Sequence, residues 1–333
     1  MKVVIFEIEG WERGAFEALT ARHEVVFERG RLDGDSARLH ADAEIISTFI
    51  YSALDREVLR ALPALRLIAT RSTGFDHIAL DYCARHGIKV ANVPSYGEKT
   101  VAEHVFALLL AISHHIAEAV DRTRRGDFSQ RGLRGFDLDG KTMGIIGTGS
   151  IGRHTARIAR GFGMTVLAHD LRPDEEAART IGFSYASFEE VLRKADVLSL
   201  HVPAQAATRH LIAQEEFAKM KDGAVLINTA RGSIVDVRAL LGALATGKLA
   251  AAGLDVLPEE PAIREEAELL RAAFSDRHDL ESLLADHILL RLRNVLITPH
   301  SAFNTREAVG RILDTTRANI DAFVAGRPAN LVA

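Results

Sequence analysis

The chain has 333 residues, which is long enough for two domains that each bury a core of their own. Its composition, 47% hydrophobic and 26% charged residues, is ordinary for a soluble globular protein. The net charge of −4 offers no general attraction to nucleic acid or to an anionic membrane, so we expect neither as a partner.

Two features bear on the cellular compartment. Cys83 is the only cysteine, so no intramolecular disulfide can form, which fits a reducing compartment. The opening MKVVIFEIEG reads as a strand and lacks the pattern of a secretory signal, and no apolar segment approaches the ~20 residues of a membrane span. We therefore expect a cytoplasmic protein.

The first part of the chain alternates short apolar strands with helical segments. The predicted strands lie in KVVIFEI, HEVVFE, AEIISTFI, LRLIATRS and IKVANVP. This alternation is typical of βαβ units and predicts a mainly parallel sheet.

Residues 100–119, TVAEHVFALLLAISHHIAEA, are predicted to form one long helix. The helix is apolar on more than one side, and a surface that broad is usually buried. It could lie between domains or between subunits, and we expect a homodimer that packs through this side of the molecule.

A glycine motif follows in the segment MGIIGTGSIGRHTARIARGFGMTVLAHD, residues 143–170. Gly147 permits a tight turn after a strand, Gly149 lets the backbone approach a pyrophosphate, and Gly152 lets the next helix pack closely on the sheet. The helix N-terminus offers N–H groups to the pyrophosphate. Asp170, eighteen residues past Gly152, is well placed for the adenosine ribose. The segment therefore predicts a dinucleotide site.

The strand and helix alternation then continues to the end of the chain. Further strands are predicted in TVLAHD, VLSLHVP, AVLINTA, AAGLDV and VLITPH, and a final helix at 303–326 is expected to cross back onto the first domain. Residues 261–292 read as an amphipathic helical insertion of unassigned role.

These elements predict an α/β protein with two doubly wound parallel-sheet domains and a cleft between them. Residues 1–99 plus 301–333 are expected to form a flavodoxin-like substrate-binding domain. Residues 100–300 are expected to form the Rossmann domain that binds the cofactor.

Strand ends in the second half carry side chains suited to hydride-transfer chemistry. The planar guanidinium of Arg231 suits a bidentate grip on a carboxylate. His300 carries an imidazole, which serves as proton donor and acceptor near neutral pH, and a carboxylate such as Asp255 or Glu260 could orient it. Each side chain alone has a more ordinary structural interpretation, but their combination on successive strand ends favours the catalytic one.

The chain resembles the D-isomer-specific 2-hydroxyacid dehydrogenases over essentially its full length. The resembling segments are RSTGFDHI (71–78), VPSYGEKTVAEH (93–104), GTGSIG (147–152), HVP (201–203), NTARG (228–232), LDVLPEEP (254–261) and TPHSAF (298–303). The resemblance implies that Arg231 holds the substrate carboxylate and keto oxygen, and that His300 protonates the oxygen as hydride reaches the carbon. Glu260, which directly precedes Pro261 as the family's acid precedes its proline, would raise the basicity of the imidazole.

The resemblance also implies NAD as the cofactor. No group of residues has the spacing of zinc ligands and Cys83 is the only cysteine, so we expect no metal. The implied contacts are Ser150, Ile151 and Gly152 at the phosphates, Asp170 at the ribose, Val202, Pro203 and Thr208 along the adenosine side, and Thr229, Ala230 and Asp255 near the nicotinamide. A carboxylate at Asp170 binds the free 2′-hydroxyl of NAD and repels the 2′-phosphate of NADP, an effect that Arg172 could partly offset.

Within the family, the details resemble the D-lactate dehydrogenase branch, which implies pyruvate and D-lactate as the substrate pair. Tyr96 and Phe303 match positions that line the substrate pocket in that branch, and Thr73 and Gly74 would present backbone N–H groups to the substrate carboxylate. Tyr51 is a further candidate wall. Such aromatic walls favour a small apolar side chain over a phosphorylated one.

Other functions stay open at this point. Within the enzyme class, the alternatives are the reduction of branched or aromatic 2-oxo acids, of glyoxylate and hydroxypyruvate, or of the substrate of a phosphoglycerate dehydrogenase. A phosphorylated substrate needs a cation to pair its phosphate, and Arg71 is the one candidate beside the predicted pocket walls. From a different class, some proteins of this fold are NAD-sensing transcriptional corepressors. A corepressor would tolerate loss of the proton carrier, whereas Arg231, Glu260 and His300 are all present here.

Overall fold

The computed structural model describes residues 1–258 and 287–332, which form two compact units. The first unit comprises Met1–Gly97 and Asn304–Ala333, and the second comprises Glu98–Phe303. The chain therefore passes between the units twice, after Gly97 and after Phe303.

The first unit is built on a five-stranded parallel sheet. Its strands are β1 (Lys2–Ile5), β2 (Glu24–Phe27), β3 (Ile45–Thr48), β4 (Leu67–Thr70) and β5 (Lys89–Ala91). They lie in the order β2-β1-β3-β4-β5, which is the flavodoxin-like order. The helices are α1 (Glu17–Thr20), α2 (Gly34–Leu39), α3 (Arg56–Arg60), α4 (Leu80–Arg85) and the C-terminal α12 (Arg306–Val324).

The C-terminal helix is fixed to this sheet by buried polar contacts. The side-chain amide of Asn319, 2% exposed, donates to the carbonyl oxygen of Asn92 at 2.8 Å and accepts from the amide of Asn330 at 2.7 Å. The N–H of Val332 then donates to the carbonyl of Val90 at 2.8 Å. These bonds explain why the last helix belongs to the first unit.

The second unit is built on a seven-stranded parallel sheet. Its strands are β6 (Thr142–Ile146), β7 (Thr165–His169), β8 (Ser184–Tyr185), β9 (Val197–Leu200), β10 (Ala224–Asn228), β11 (Leu249–Leu254) and β12 (Val295–Ile297). The order is β12-β11-β10-β9-β6-β7-β8, so the direction of winding reverses between β6 and β9. The helices are α5 (Glu98–Ser113), α6 (Ile116–Arg124), α7 (Ser150–Gly161), α8 (Glu175–Ile181), α9 (Phe188–Lys194), α10 (Gln214–Lys219) and α11 (Val237–Ala245).

Both faces of this sheet are buried, which is why its strands read as continuous apolar runs. In β10, Leu226 belongs to the core on one face, whereas Val225 and Ile227 belong to the core on the other. The predicted fold class, two doubly wound parallel-sheet α/β domains, is confirmed by the two sheets.

The single helix predicted at 100–119 is wrong, because the structure divides it into α5 and α6. His115 adopts a left-handed backbone with φ of 49°, which ends the regular helical path. The carbonyl of Ser113 accepts from the N–H of Phe136 at 3.0 Å, a contact that takes the place of the next helical bond. The apolar breadth of α5 also has an internal explanation, since residues such as Phe106, Leu109 and Ile112 are buried in the core of the second unit.

Within residues 1–258 and 287–332, no single helix is long and apolar enough to cross a membrane. The helices α5 and α6 meet that criterion only as a pair, and the pair is bent by 60°.

Candidate active site

The candidate residues of the second unit lie along one edge of its sheet. Because all the strands are parallel, their carboxyl ends meet at the same edge, and ligands of such sheets bind where the winding reverses. The glycine loop follows β6, Asp170 follows β7, Thr229 and Arg231 follow β10, Asp255 follows β11 and His300 follows β12. Along the edge, Asp170 is therefore separated from the residues expected at the nicotinamide by the glycine loop and by the loop after β9.

The glycine loop has the close approaches that its sequence predicts. Gly147 has φ of +93°, and a Cβ on it would lie 2.6 Å from the carbonyl oxygen of His201. A Cβ on Gly152 would lie 2.1 Å from the carbonyl oxygen of Gly147. Gly149 is the N-cap residue of α7 and faces open space. Because it has no side chain, it does not cap the first N–H groups of the helix. The start of α7 is thus shaped to receive an anion.

Asp170 is held as an oriented, ionised acceptor at the end of β7. Its Oδ2 accepts from the backbone N–H of Thr148 at 2.6 Å and from the Thr148 hydroxyl at 3.0 Å, and its Oδ1 accepts from the N–H of Arg172 at 2.8 Å. Partial burial would raise the pKa of Asp170, but the hydrogen bonds from Arg172 and Thr148 outweigh it and leave the pKa below its usual value. The carboxylate keeps lone pairs for further donors such as ribose hydroxyls.

The loop after β9 contains Val202, Pro203 and Thr208. The Thr208 hydroxyl donates to the carbonyl of Pro203 at 2.6 Å and accepts from the N–H of Gln205 at 3.0 Å. The hydroxyl thus closes this loop on itself, which leaves the backbone and apolar atoms of the loop for the adenosine contacts that the resemblance implies.

Next to this loop, His201 is a neutral histidine. Desolvation of its imidazole lowers the pKa to about 3, and Nε2 lies 2.9 Å from the hydroxyl oxygen of Ser199. A proton-transfer role is therefore not needed to explain it.

At the end of β10, Thr229 and Ala230 lead into Arg231. The hydroxyl of Thr229 is buried and has no hydrogen-bond partner among the described residues. A buried polar group is normally satisfied, so this hydroxyl is suited to a ligand atom. The side chain of Asn228 accepts from the N–H of Ala230 at 3.0 Å and donates to the carbonyl of Arg231 at 2.9 Å, which fixes the turn that carries the half-buried guanidinium.

Asp255 has a structural task that the sequence does not predict. Its carboxylate, 1% exposed, accepts from the hydroxyl of Thr298 at 2.5 Å and from the N–H groups of Ser301 and Ala302, both at 2.8 Å. Its carbonyl accepts from the N–H of His300 at 3.0 Å. Asp255 therefore binds nearly every residue of the segment that presents the histidine.

His300 itself adopts a left-handed backbone, with φ of 53°. Such a conformation is strained for a histidine and persists only when its surroundings impose it, as Asp255 does here. On the other side, the Nε2 atom of His104 in α5 lies 3.0 Å from the hydroxyl oxygen of Thr298. That hydroxyl has one proton and gives it to the Asp255 carboxylate, so Nε2 of His104 is the donor.

The first unit presents a second group of predicted residues at the carboxyl edge of its own sheet. Thr73 follows β4, and its hydroxyl donates to the carbonyl of Val93 at 2.7 Å. Its carbonyl accepts from the side chain of Asn92 at 2.8 Å, and the carbonyl of Gly74 accepts from the hydroxyl of Ser72 at 2.6 Å. The 73–74 turn is thus fixed by polar contacts that leave its backbone geometry well defined.

Tyr51 and Tyr96 belong to the same unit, and Glu7 supports the first of them. The Glu7 carboxylate accepts from the N–H groups of Phe49 at 3.2 Å and Tyr51 at 3.1 Å and from the hydroxyl of Ser52. Glu7 has φ of 55°, a backbone conformation that nothing in the sequence pattern signals. The carbonyl of Tyr96 accepts from the guanidinium of Arg311 at 2.7 Å.

Arg71 is not available to a ligand. It is 2% exposed, and its guanidinium donates to the carbonyls of Phe6 at 2.7 Å and Glu7 at 2.8 Å and to the hydroxyl of Ser47 at 3.2 Å. Its role is to hold the carboxyl ends of β1, β3 and β4 together.

The predicted residues divide between the two units. The structure brings Arg231, Asp255 and His300 to one sheet edge, and half-buried Phe303 lies at the end of that same unit. Tyr51, Thr73, Gly74 and Tyr96 share the other unit. Glu260 and the predicted insertion as far as residue 286 lie outside the described residues.

The second unit fits NAD on three observations. The glycine loop excludes any side chain at Gly147 and Gly152, Asp170 is ionised and correctly hydrogen-bonded for hydroxyl groups, and Thr229 offers a buried hydroxyl without a partner in the described chain.

Comparison with known proteins agrees with this geometry. Residues 106–302 match the family model described as "D-isomer specific 2-hydroxyacid dehydrogenase, NAD binding domain". A 2-hydroxyacid dehydrogenase homolog of Haemophilus influenzae is 36% identical over 98% of this chain and 97% of its own. A glyoxylate reductase of Thermococcus litoralis is 36% identical over 87% of this chain and 84% of its own.

Among solved structures, the D-lactate dehydrogenase of Aquifex aeolicus complexed with NAD and lactic acid matches with a TM-score of 0.85. It is 36% identical and the match covers 98% of this chain and 96% of that chain. The similarity therefore extends over both units. The chain belongs to the D-isomer-specific 2-hydroxyacid dehydrogenase family and is an NAD-dependent oxidoreductase of that family.

Proposed function

We propose that this enzyme reduces pyruvate to D-lactate. The observation that carries the proposal is the placement of a guanidinium and an imidazole just after β10 and β12, two strands apart at one sheet edge. Neighbouring strands are about 4.8 Å apart, so these two strand ends are about 10 Å apart, a gap that a small acid can fill. NAD, when bound, donates or accepts the hydride at its nicotinamide ring.

The protein's own residues supply binding and proton transfer. Arg231 binds the substrate carboxylate through two parallel hydrogen bonds and polarises the keto oxygen. His300 donates a proton to that oxygen during reduction and removes it during oxidation. By the resemblance alone, Glu260 is assigned to the imidazole as the carboxylate that stabilises its protonated form.

The choice of pyruvate rests on the residues assigned to the substrate. Thr73 and Gly74 offer backbone N–H groups in a fixed turn, and the resemblance assigns Tyr51, Tyr96 and Phe303 to aromatic walls suited to a methyl group. Arg71 donates to backbone carbonyls inside the first unit, which argues against a phosphorylated substrate. The match to an NAD and lactic acid complex supports the same choice.

A second candidate is glyoxylate, which the similarity to the Thermococcus litoralis glyoxylate reductase favours. Glyoxylate carries a hydrogen where pyruvate carries a methyl group. A pocket lined by aromatic rings gains more from burying the methyl, by about 0.8 kcal/mol or more. We therefore place glyoxylate below pyruvate.

Two further properties are part of the proposal. We infer a homodimer, supported by the exposed apolar side chains of Ile116, Val120 and Phe128 in and after α6. We also infer a cytoplasmic location, supported by the lone buried thiol of Cys83, whose pKa burial raises to about 11 and which is therefore an inert thiol.

The substrate assignment is tested by turnover with NADH and a panel of 2-oxo acids. We expect kcat/KM for pyruvate to exceed that for glyoxylate, hydroxypyruvate, phenylpyruvate and phosphohydroxypyruvate, and we expect D-lactate but not L-lactate to be oxidised with NAD. A preference of tenfold or more for glyoxylate or for the phosphorylated acid would refute the assignment while leaving the reaction class intact.

The proton-transfer role is tested by His300→Asn. Asparagine tolerates the left-handed backbone of this position, so the variant removes the imidazole with little strain. We expect kcat to fall by about 10²- to 10⁴-fold, the usual contribution of a general acid. The dissociation constant for NADH, measured by fluorescence titration, should stay within about twofold, because His300 is assigned to substrate rather than cofactor. Retention of kcat would show that another group carries the proton.

The anchoring role of Asp255 is tested by Asp255→Asn. The side-chain NH₂ of asparagine cannot accept a hydrogen bond, so it would face one of the donor groups of Thr298, Ser301 and Ala302. The segment that carries His300 would then lose its fixed position. We expect a loss of about 1–3 kcal/mol in the free energy of unfolding, measured with urea, and a fall in kcat of at least tenfold.

The control for Asp255→Asn is Asp236→Ala, because asparagine at this position would still cap the helix. Asp236 also accepts two backbone N–H groups, those of Arg238 at 3.0 Å and Ala239 at 2.9 Å, but it caps α11 away from the histidine segment. Its loss should cost about 1 kcal/mol of stability and leave kcat unchanged. Equal effects of the two variants on kcat would mean that Asp255 acts only through overall stability.

A further inference from the structure

A chain of hydrogen bonds runs behind the Asp170 carboxylate. The hydroxyl oxygen of Thr148, inside the glycine loop, lies 3.0 Å from Oδ2 of Asp170 and 2.7 Å from the phenolic oxygen of Tyr185. The phenolic oxygen in turn accepts from the backbone N–H of Asp174 at 3.0 Å. Four residues, which lie after β7, in β8, in the glycine loop and at the start of α8, are thereby joined in one series.

The direction of every proton in this series follows from the number of donors. An ionised carboxylate only accepts, so the single hydroxyl proton of Thr148 points to Asp170. The Thr148 oxygen must then accept from Tyr185, whose own oxygen accepts from the N–H of Asp174. Each hydroxyl donates once and accepts once, so the series has one arrangement, and neighbouring bonds in such a series strengthen one another.

The surroundings keep the series in place. Thr148 is 2% exposed, and the ring of Tyr185 packs edge-on against Phe183 with centroids 5.2 Å apart. Tyr185 lies on the short edge strand β8, where its Cα is paired with that of Ala168 in β7. The tyrosine is therefore positioned by the sheet and reaches the glycine loop with its hydroxyl.

We propose that Thr148 and Tyr185 are positioning residues that set the preference for NAD over NADP by fixing the orientation of the Asp170 carboxylate. The proposal rests on the assignment of Asp170 to the adenosine ribose. A fixed, ionised carboxylate accepts from a 2′-hydroxyl and repels a 2′-phosphate. A carboxylate that can rotate binds the 2′-hydroxyl less well and also repels the 2′-phosphate less. It can turn away from the phosphate, and the neighbouring exposed Arg172 can then approach the phosphate.

The test measures dissociation constants for NADH and NADPH by fluorescence titration without substrate, so that it does not depend on turnover. The variants are Tyr185→Phe, which removes only the phenolic oxygen, Thr148→Val, which keeps the branched shape, and Thr148→Ser, which restores the hydroxyl. Thr155→Val is the matched control, since the buried Thr155 hydroxyl donates within α7 to the carbonyl of Ile151 at 3.1 Å and takes no part in the series.

We expect the dissociation constant for NADH to rise about fivefold in Tyr185→Phe and about tenfold in Thr148→Val, the magnitude of one lost hydrogen bond. The dissociation constant for NADPH should change by less than twofold or fall. The ratio of the NADPH constant to the NADH constant, which measures the preference for NAD, should therefore decrease. Thr148→Ser should recover most of the ratio, and Thr155→Val should leave it unchanged. The proposal is overturned if the ratio is unchanged in both Tyr185→Phe and Thr148→Val, including the case in which both constants rise equally.

Asp170→Asn separates this proposal from the assignment on which it rests. If the ratio contracts in Asp170→Asn but not in Tyr185→Phe and Thr148→Val, Asp170 binds the ribose and the series behind it is irrelevant. If the ratio is unchanged in Asp170→Asn as well, the assignment of Asp170 itself is wrong, and so is the proposal.

Discussion

The organisation of this enzyme depends on one geometric constraint, the parallel pairing of seven strands in its second unit. Parallel strands have all their carboxyl ends at a single edge of the sheet. Residues that follow different strands therefore lie close together there, although they are far apart in sequence. Gly147, Asp170, Arg231 and His300 are spread over more than a hundred and fifty residues of chain, yet each is the first or an early residue after a strand. The order of the strands then fixes the order of the chemical groups along the edge.

The position of a residue at the sheet edge does not by itself fix the conformation of its loop. In this protein, buried or partly buried carboxylates fix the conformations of these loops. Asp255 holds the segment that carries His300, Asp170 holds the glycine loop, and Glu7 holds the 49–52 loop of the first unit. In each case a side-chain carboxylate accepts backbone N–H groups that no helix or strand would satisfy. Because unsatisfied buried N–H groups cost about 1–3 kcal/mol each, such anchors stabilise one loop conformation strongly over its alternatives. The strained backbone of His300 lies next to its anchor Asp255, and that of Glu7 belongs to an anchor itself, so the stabilisation can offset the strain.

Much of this architecture could be predicted from sequence because it depends on local pattern. Continuous apolar runs predict the buried strands, and the spacing of Gly147, Gly149 and Gly152 predicts the turn after β6. The two-residue strand β8 carries no such pattern, so the role of Tyr185 could not be anticipated. The contact between Thr148 and Tyr185 joins residues 37 positions apart, and only the folded sheet brings them together. Similarly, the break between α5 and α6 depends on a distant partner, since the N–H of Phe136 binds the carbonyl of Ser113.

The central claim is that the dinucleotide lies along the edge with its adenosine at Asp170 and its nicotinamide at β10 to β12. A crystal structure of the enzyme with NADH and oxamate, an unreactive analogue of pyruvate, measures this directly. The account predicts ribose hydroxyls within hydrogen-bond distance of Asp170, and the oxamate carboxylate on Arg231 with an oxamate oxygen on His300. A cofactor in the reverse orientation, or oxamate bound away from both Arg231 and His300, would contradict it.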